Sequence, residues 1–223
     1  MNAFSKKISF HRQAHLGDSV NNKGLYEARS DYYRKIIERY SQAVSNGETK
    51  TIPQLKELVN PFDKTVLETK QKIFSQLNLT AEANQANSFL LEKDFPAFAK
   101  LAFELVQKIQ LVKSEVETTF WMGFEDLLSI NAGDSFDKAL FLCSLLASVG
   151  CATARVRVLE LEGGVNHPVV MYFFENKEFL LDSCSNEFLS GQLSEVLEKF
   201  YFDGKKTVKS LFEFNNLDYV ELD

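Results

Sequence analysis

The stretch "GDSFDKALFLCSLLASVG", residues 133 to 150, limits the fold more than any other part of the chain. Gly133 and Asp134 read as a tight turn. They lead into Ala139, Leu140, Phe141, Leu142, Cys143, Leu145, Leu146 and Ala147, which are apolar nearly all round a helix. Such a helix needs neighbours on every side, so it belongs at the centre of a domain. Cys143, Leu146 and Ala147 are therefore expected to be almost fully buried, and Cys143 slow to alkylate. The N–H groups at the start of this helix need partners as well. Ser135, or Asp134 before it, can supply one as an N-cap. The same place stabilises an anion or a thiolate through free N–H groups and the helix dipole. The residue types alone leave both roles open for Ser135.

The elements on either side have different periods. "LYEARSDYYRKIIERYSQAV", residues 25 to 44, sets Leu25, Ala28, Tyr32, Tyr33, Ile36, Ile37, Tyr40 and Val44 at helical spacing. A short helix follows Thr51, with Pro53 in its first turn. "NPFDKTVLETKQKIFSQL" offers Asn60 as an N-cap and Pro61 at the first helical position. "TAEANQANSFLLEK" and "DFPAFAKLAFELVQKI" read as two further helices, the second capped by Asp94. After residue 152 the period becomes two. "TARVRVLELE" sets Ala154, Val156, Val158 and Leu161 against Arg155, Arg157 and Glu160, with a slip near Leu159, as in a strand with one buried face. "HPVVMYFFENKEFLLDSC" reads as two strands joined at "ENKE", where Asn176 tolerates a left-handed backbone. "SGQLSEVLEKFYF" places Leu193, Val196, Leu197 and Phe200 on one helical face, and "SLFEFNN" and "LDYVELD" read as closing strands. Helices followed by antiparallel strands make an α+β fold. Residues 1–60 form a helical N-terminal extension and 61–223 the core domain.

Composition narrows the function. The 223 residues are 45% hydrophobic, with 20 Phe, which is enough for a large core. The net charge of −6 and the lack of a long basic run argue against nucleic-acid or anionic-membrane partners. "MNAFSKKISFHRQAH" has no apolar core of a signal peptide, and "ALFLCSLLASVGCA" is too short to span a bilayer, so a cytoplasmic protein is expected. Cys143, Cys151 and Cys184 form no CxxC pair and read as reduced thiols. His11 and His15 have helical i, i+4 spacing, but no zinc-peptidase Glu follows His11 and no third ligand is near, so no metal is expected. No phosphate-binding glycine loop appears, and no cofactor is expected.

Nucleophilic catalysis needs a base, and a carboxylate that orients the base. His167 opens the first hairpin strand and Asp182 closes the second, so a short turn can bring them side by side. A strand-end histidine bonded to backbone and a turn aspartate are the ordinary alternatives for each taken alone. The order of helix start, His and Asp is that of a catalytic triad. Here the chain resembles the transglutaminase-like superfamily. The matching positions are Gly133, Asp134, Asp137, Lys138, Ala139, Leu145, Leu146, Gly150, Ala154, Arg155, Val156, His167 and Asp182. The likeness reaches loosely back to "NPFDKTVLETKQKIF" and "TTFWMGFEDLLSINAGD", and does not include the first sixty residues. It implies a papain-like α+β fold and acyl transfer or amide hydrolysis through a Cys–His–Asp triad, on a protein or peptide substrate.

Ser135 stands where the resemblance implies the nucleophilic Cys, and Phe136 where an acidic or polar residue is common. A hydroxyl is not ionised by a helix tip and an imidazolium as a thiol is, and its oxygen is smaller than sulfur. The site is therefore expected to be inert or nearly so. It then belongs to a natural pseudoenzyme or to an engineered Cys→Ser variant. The alternatives are a serine hydrolase using Ser135, His167 and Asp182, and a non-catalytic interaction module that docks a partner on the tyrosine-rich helix. An open groove at Ser135 marks the hydrolases. An exposed apolar stripe on residues 25 to 44, with the groove occluded, marks the module. Trp121 is either a wall of core or cleft, or an indole donor to an oxyanion. Lys138 and Arg155 either pair with Asp134 or Asp137 or stand solvated.

Overall fold

A computed structural model of the chain describes residues 23–45, 51–80, 88–112 and 121–222; His11 and His15 lie outside these, as does half of the first helix read from "TAEANQANSFLLEK", whose last three residues belong instead to the next helix. Helices fill the first half: α1 (Lys23–Ser45), α2 (Ile52–Glu57), α3 (Lys64–Gln76), α4 (Leu91–Gln107) and α5 (Phe124–Ile130). The apolar segment forms α6 (Ser135–Ser148), in which every residue from Phe136 to Leu146 is buried. Ala147 is only half-buried, because the last turn emerges toward the exposed Gly150.

The strands follow in antiparallel order: β3 (Arg155–Leu161), β4 (Val165–Phe174), β5 (Lys177–Asp182), β6 (Glu187–Gly191), β7 (Tyr201–Phe202), β8 (Lys205–Phe214) and β9 (Tyr219–Glu221), with α7 (Leu193–Lys199) between β6 and β7. Across the sheet they run β6-β5-β4-β3-β8-β7, with β9 on β8. A separate parallel ladder joins β1 (Gln110–Leu111) to β2 (Ala132–Gly133), setting the start of α6 beside the end of α4. The molecule is thus an α+β protein.

Both faces of the sheet are covered. Val156, Val158, Val170, Tyr172 and Leu181 face α6 and the other helices. Leu159, Leu161, Val169, Met171 and Leu180 face the other way, against Val196 of α7 and Phe200. This explains the slip near Leu159: β3 alternates regularly against β4, but its two faces bury apolar residues in turn, so Leu161 lies opposite Val156 and Val158. On that second face Arg157 is buried too, paired with Glu213.

Local chemistry moves several boundaries. Asn60 does not cap α3. Its side chain accepts from Phe62 N at 3.0 Å in the turn before it, and Asp63 caps instead, accepting from Thr65 N at 2.8 Å and Val66 N at 3.3 Å. Asp94 does not open a helix either. It lies inside α4 and accepts from Leu90 N at 2.9 Å. The β4–β5 turn is as read: Glu175 and Asn176 have φ of 48° and 61°, the primed geometry that suits strand twist. Within residues 1–60, α1, α2 and the bend after α2 place Tyr32, Ile36, Leu55 and Val59 in the same core as α6.

Candidate active site

The start of α6 is assembled before any reactive group is placed on it. Gly133 admits no side chain: a Cβ there would lie 2.3 Å from Leu127 Cδ1 and 3.3 Å from Asp137 Cβ. Asp134 is the N-cap, its Oδ1 accepting from Phe136 N at 2.8 Å and Asp137 N at 3.0 Å. Asp137 returns the bond, accepting from Asp134 N at 3.1 Å, which closes a capping box. Its other oxygen accepts from Met122 N at 3.1 Å, tying in the segment before α5. Trp121 from that segment is buried and packs edge-on against Phe136, with ring centroids 5.4 Å apart. Capping therefore falls to Asp134, and Ser135, half-buried in the first helical position, is not the cap.

Lys138, one turn on, is fully buried. Its ammonium donates to Ile109 O at 2.8 Å and Gln107 O at 3.4 Å, rather than pairing with Asp134 or Asp137. Burial lowers its pKa, against the pull of Cys184 and Asp182. Arg155 likewise pairs with Glu213, on the sheet.

His167 and Asp182 come together as a buried pair, His167 Nε2 lying 3.0 Å from Asp182 Oδ2. The register explains it. Val170 faces Leu181 across β4 and β5, so Asp182 falls opposite Val169, and His167 is its diagonal neighbour on the same face. With the carboxylate as acceptor, Nε2 carries the proton, and a neutral ring keeps its lone pair on Nδ1. Asp182 also accepts from Ser185 Oγ at 2.5 Å and from Cys184 N at 2.9 Å. Burial opposes the Asp182 anion. The His167 ring, the Ser185 hydroxyl and the Cys184 N–H outweigh it and hold the carboxyl below its ordinary pKa. Phe202 stacks on the His167 ring at 3.8 Å between centroids, with Phe200 at 5.9 Å.

The structure thus forms the His167–Asp182 pair on the α7 side of the sheet and places Ser135 on the helix that packs against the other side. Among the described residues no hydrogen bond joins Ser135 to His167. The two parts approach each other at the turn after β5. Cys184 lies within electrostatic reach of Asp134 and Lys138 from the first turn of α6, and Lys138 within reach of Asp182. Burial raises the thiol pKa of Cys184, and that of Cys143 in the middle of α6.

Sequence reading missed several of these groups. The Asp134-x-x-Asp137 spacing is a capping-box pattern and was available. Ser185, Phe200 and Phe202 around the pair, and Tyr32 beside Asp134, carry no local signal. Among the described residues no group of His, Cys, Asp and Glu is placed to hold a metal ion, and no helix is long and apolar enough to cross a membrane.

No family model matches the sequence, and no curated protein is detectably similar to it. Solved structures similar in overall shape include LapG of Legionella pneumophila. Its EGTA-treated form is 13% identical at a TM-score of 0.48, over 75% of this chain and 83% of that one. Its calcium-bound form is 13% identical at 0.48, over 70% and 77%. A third LapG structure is 13% identical at 0.47, over 74% and 84%.

Proposed function

We propose that the chain is a transglutaminase-like protein whose acyl-transfer or amide-hydrolysis site is Ser135, His167 and Asp182. Serine takes the place of a thiol nucleophile, and the site is inactive as it stands. The observation that carries this reading is the buried His167–Asp182 hydrogen bond, made through Nε2 and held by two further donors to the carboxylate. That arrangement orients an imidazole, which is what a base for acyl chemistry requires. The start of α6 contributes the dipole of a fourteen-residue helix at residue 135. The helix start stabilises a thiolate at residue 135, and the ring, which lies on the far face of the sheet, has to meet it at the turn after β5; a hydroxyl is deprotonated only during attack. The stacking of Phe202 on a buried His167 ring, and the half-burial of Ser135, favour a closed site over one that turns substrates over. The apolar stripe of α1 is largely used inside the fold, with Tyr32 and Ile36 buried, although Tyr26 and Ile37 stay exposed.

The test is chemical. Ser135→Cys should create a thiol that reacts with iodoacetamide at pH 7 at least about 100-fold faster than Cys143, Cys151 or Cys184, because a lowered pKa multiplies the thiolate fraction. Adding His167→Ala should remove most of that advantage. A thiol at position 135 of ordinary reactivity, unchanged by His167→Ala, would sink the triad reading. Hydrolysis of activated esters by the unmodified protein, abolished by His167→Ala, would instead establish a serine hydrolase.

A further inference from the structure

Helix α1 lies far from Ser135 in sequence and outside the resemblance to any acyl-transfer family, yet it reaches the start of α6 with a fully buried hydroxyl. Tyr32, with no exposed surface, donates from its OH to Asp134 Oδ2 at 3.4 Å across 102 residues. The two oxygens of Asp134 have different tasks. Oδ1 caps the helix through Phe136 N and Asp137 N, and Oδ2 meets the tyrosine. Asp134 is itself almost completely buried. A carboxylate one residue before position 135, in a poorly solvated place, works against any negative charge on residue 135, opposing the helix dipole. Whatever shares the charge of that carboxylate therefore acts on residue 135.

The same face of α1 is anchored a second time, one to two turns on. Arg39 and Lys35 approach Asp126 Oδ1 at 2.5 Å and 3.3 Å, and Tyr40 OH donates to Asp126 Oδ2 at 3.1 Å. Tyr40 Oη also accepts from Gly123 N at 2.7 Å. Burial opposes the Asp126 anion, but Arg39, Tyr40 and Lys35 outweigh it and hold its pKa below the ordinary value. Gly123 adjoins Met122, whose N–H bonds Asp137, so α1 grips the start of α6 from two directions. We infer that Tyr32 is a positioning residue for the site: its hydroxyl, bonded to Asp134, sets the charge environment of residue 135, and α1 is a working part of the site. This rests on the reading of position 135 as the reactive one.

The test uses the full chain carrying Ser135→Cys, and follows iodoacetamide alkylation at position 135 from pH 5 to 10. Adding Tyr32→Phe removes one oxygen and leaves the ring. It should move the midpoint of the profile upward and slow alkylation at pH 7 by about threefold, as expected when a carboxylate loses one of its donors next to a thiolate. Tyr26→Phe, on the exposed side of α1, should change nothing. In an Asp134→Asn background, where the charge is gone, Tyr32→Phe should no longer move the midpoint. Superimposable profiles with and without the Tyr32 hydroxyl would overturn the inference, as would an equal shift in the Asp134→Asn background. Either result leaves the triad reading untouched, because that reading is decided by His167→Ala. A purely structural role for Tyr32 would lower the melting temperature without shifting the midpoint, and would overturn the inference too.

Discussion

His167 and Asp182 stand 15 residues apart on one hairpin, and the register of β4 against β5 is enough to make them neighbours. The surroundings of Ser135 come from much farther away. Tyr32 is 102 residues from Asp134, the carbonyls that hold Lys138 are 29 and 31 residues before it, and Met122 reaches Asp137 across 15. One half of the site follows from a two-residue turn and strand alternation. The other exists only once α1, α4, α5 and α6 have packed. Local construction tolerates disturbance elsewhere, because its geometry is set by backbone hydrogen bonds of its own. Assembled construction is adjustable, because each distant helix contributes a separate term. The pair should therefore behave as one rigid unit, and the environment of residue 135 as a quantity that mutations far along the chain can tune.

The largest effect should come from breaking the unit. Asp182→Ala leaves the His167 ring, the Ser185 hydroxyl and Cys184 N without their acceptor in a buried place, and should cost about 3 kcal/mol in urea unfolding. The pH dependence has a definite sign. The folded Asp182 carboxyl titrates below its unfolded value, so the stability it adds is complete above the unfolded pKa and is lost as pH falls through the folded one. The parent protein should thus lose stability below about pH 4, where an ordinary aspartate takes up its proton. Asp182→Asn should show a shallower acid slope. A cost under about 1 kcal/mol, the value expected of an exposed ion pair, would mean that the pair is not a unit.

The same contrast decides what could be read from the sequence. The hairpin was legible because its signals are local: alternating apolar residues, a turn with Asn176, a histidine at one end and an aspartate at the other. The centrality of α6 was legible because a helix apolar all round has nowhere else to go. The slip at Leu159 was visible but misread. One-faced burial was assumed, whereas α7 and Phe200 cover the second face and let β3 bury both. Asn-Pro is a good helix opening in isolation, which points to Asn60 and leaves Asp63 without a signal of its own. In the folded chain Asn60 is spent on its own turn. Tyr32 was placed on an apolar helical face, but nothing in its neighbourhood says that its hydroxyl meets a carboxylate 102 residues away. For Lys138 the sequence offers only a nearby acid or solvent; the buried carbonyls at the end of α4 are a tertiary fact.

A smaller effect should separate the halves directly. Gly133→Ala drives a methyl into the end of the buried Leu127 side chain and against Asp137, so Leu127 must repack. Overpacking of this kind costs about 2 kcal/mol. The loss should be confined to the helix side. In the Ser135→Cys background the thiol at position 135 should change its alkylation rate, while the nitrogen chemical shifts of the His167 ring stay in place. Movement of the His167 signals with Gly133→Ala would show that the pair depends on the helix start, and would end the comparison of a local unit with an assembled one.

The smallest effect concerns the turn that makes the pair local. Glu175 and Asn176 both occupy the left-handed region. Asn enters it at low cost because its short amide bonds to nearby backbone, whereas Glu gains no such compensation. Glu175→Asn should therefore stabilise the protein by about 0.5 kcal/mol, a rise in melting temperature of about 1–2 °C for a chain of this length. The turn closes β4 and β5 at the end away from the pair, with Phe174 seven residues on from His167 along β4, about 23 Å of strand. The gain should thus appear in hydrogen exchange of the hairpin amides and leave the alkylation rate at position 135 unchanged in the Ser135→Cys background. A stabilised hairpin that also altered the thiol would show the two halves mechanically joined along the strands. No gain in stability would mean that the turn is held by the sheet around it, and that the register of the pair does not rest on its own turn.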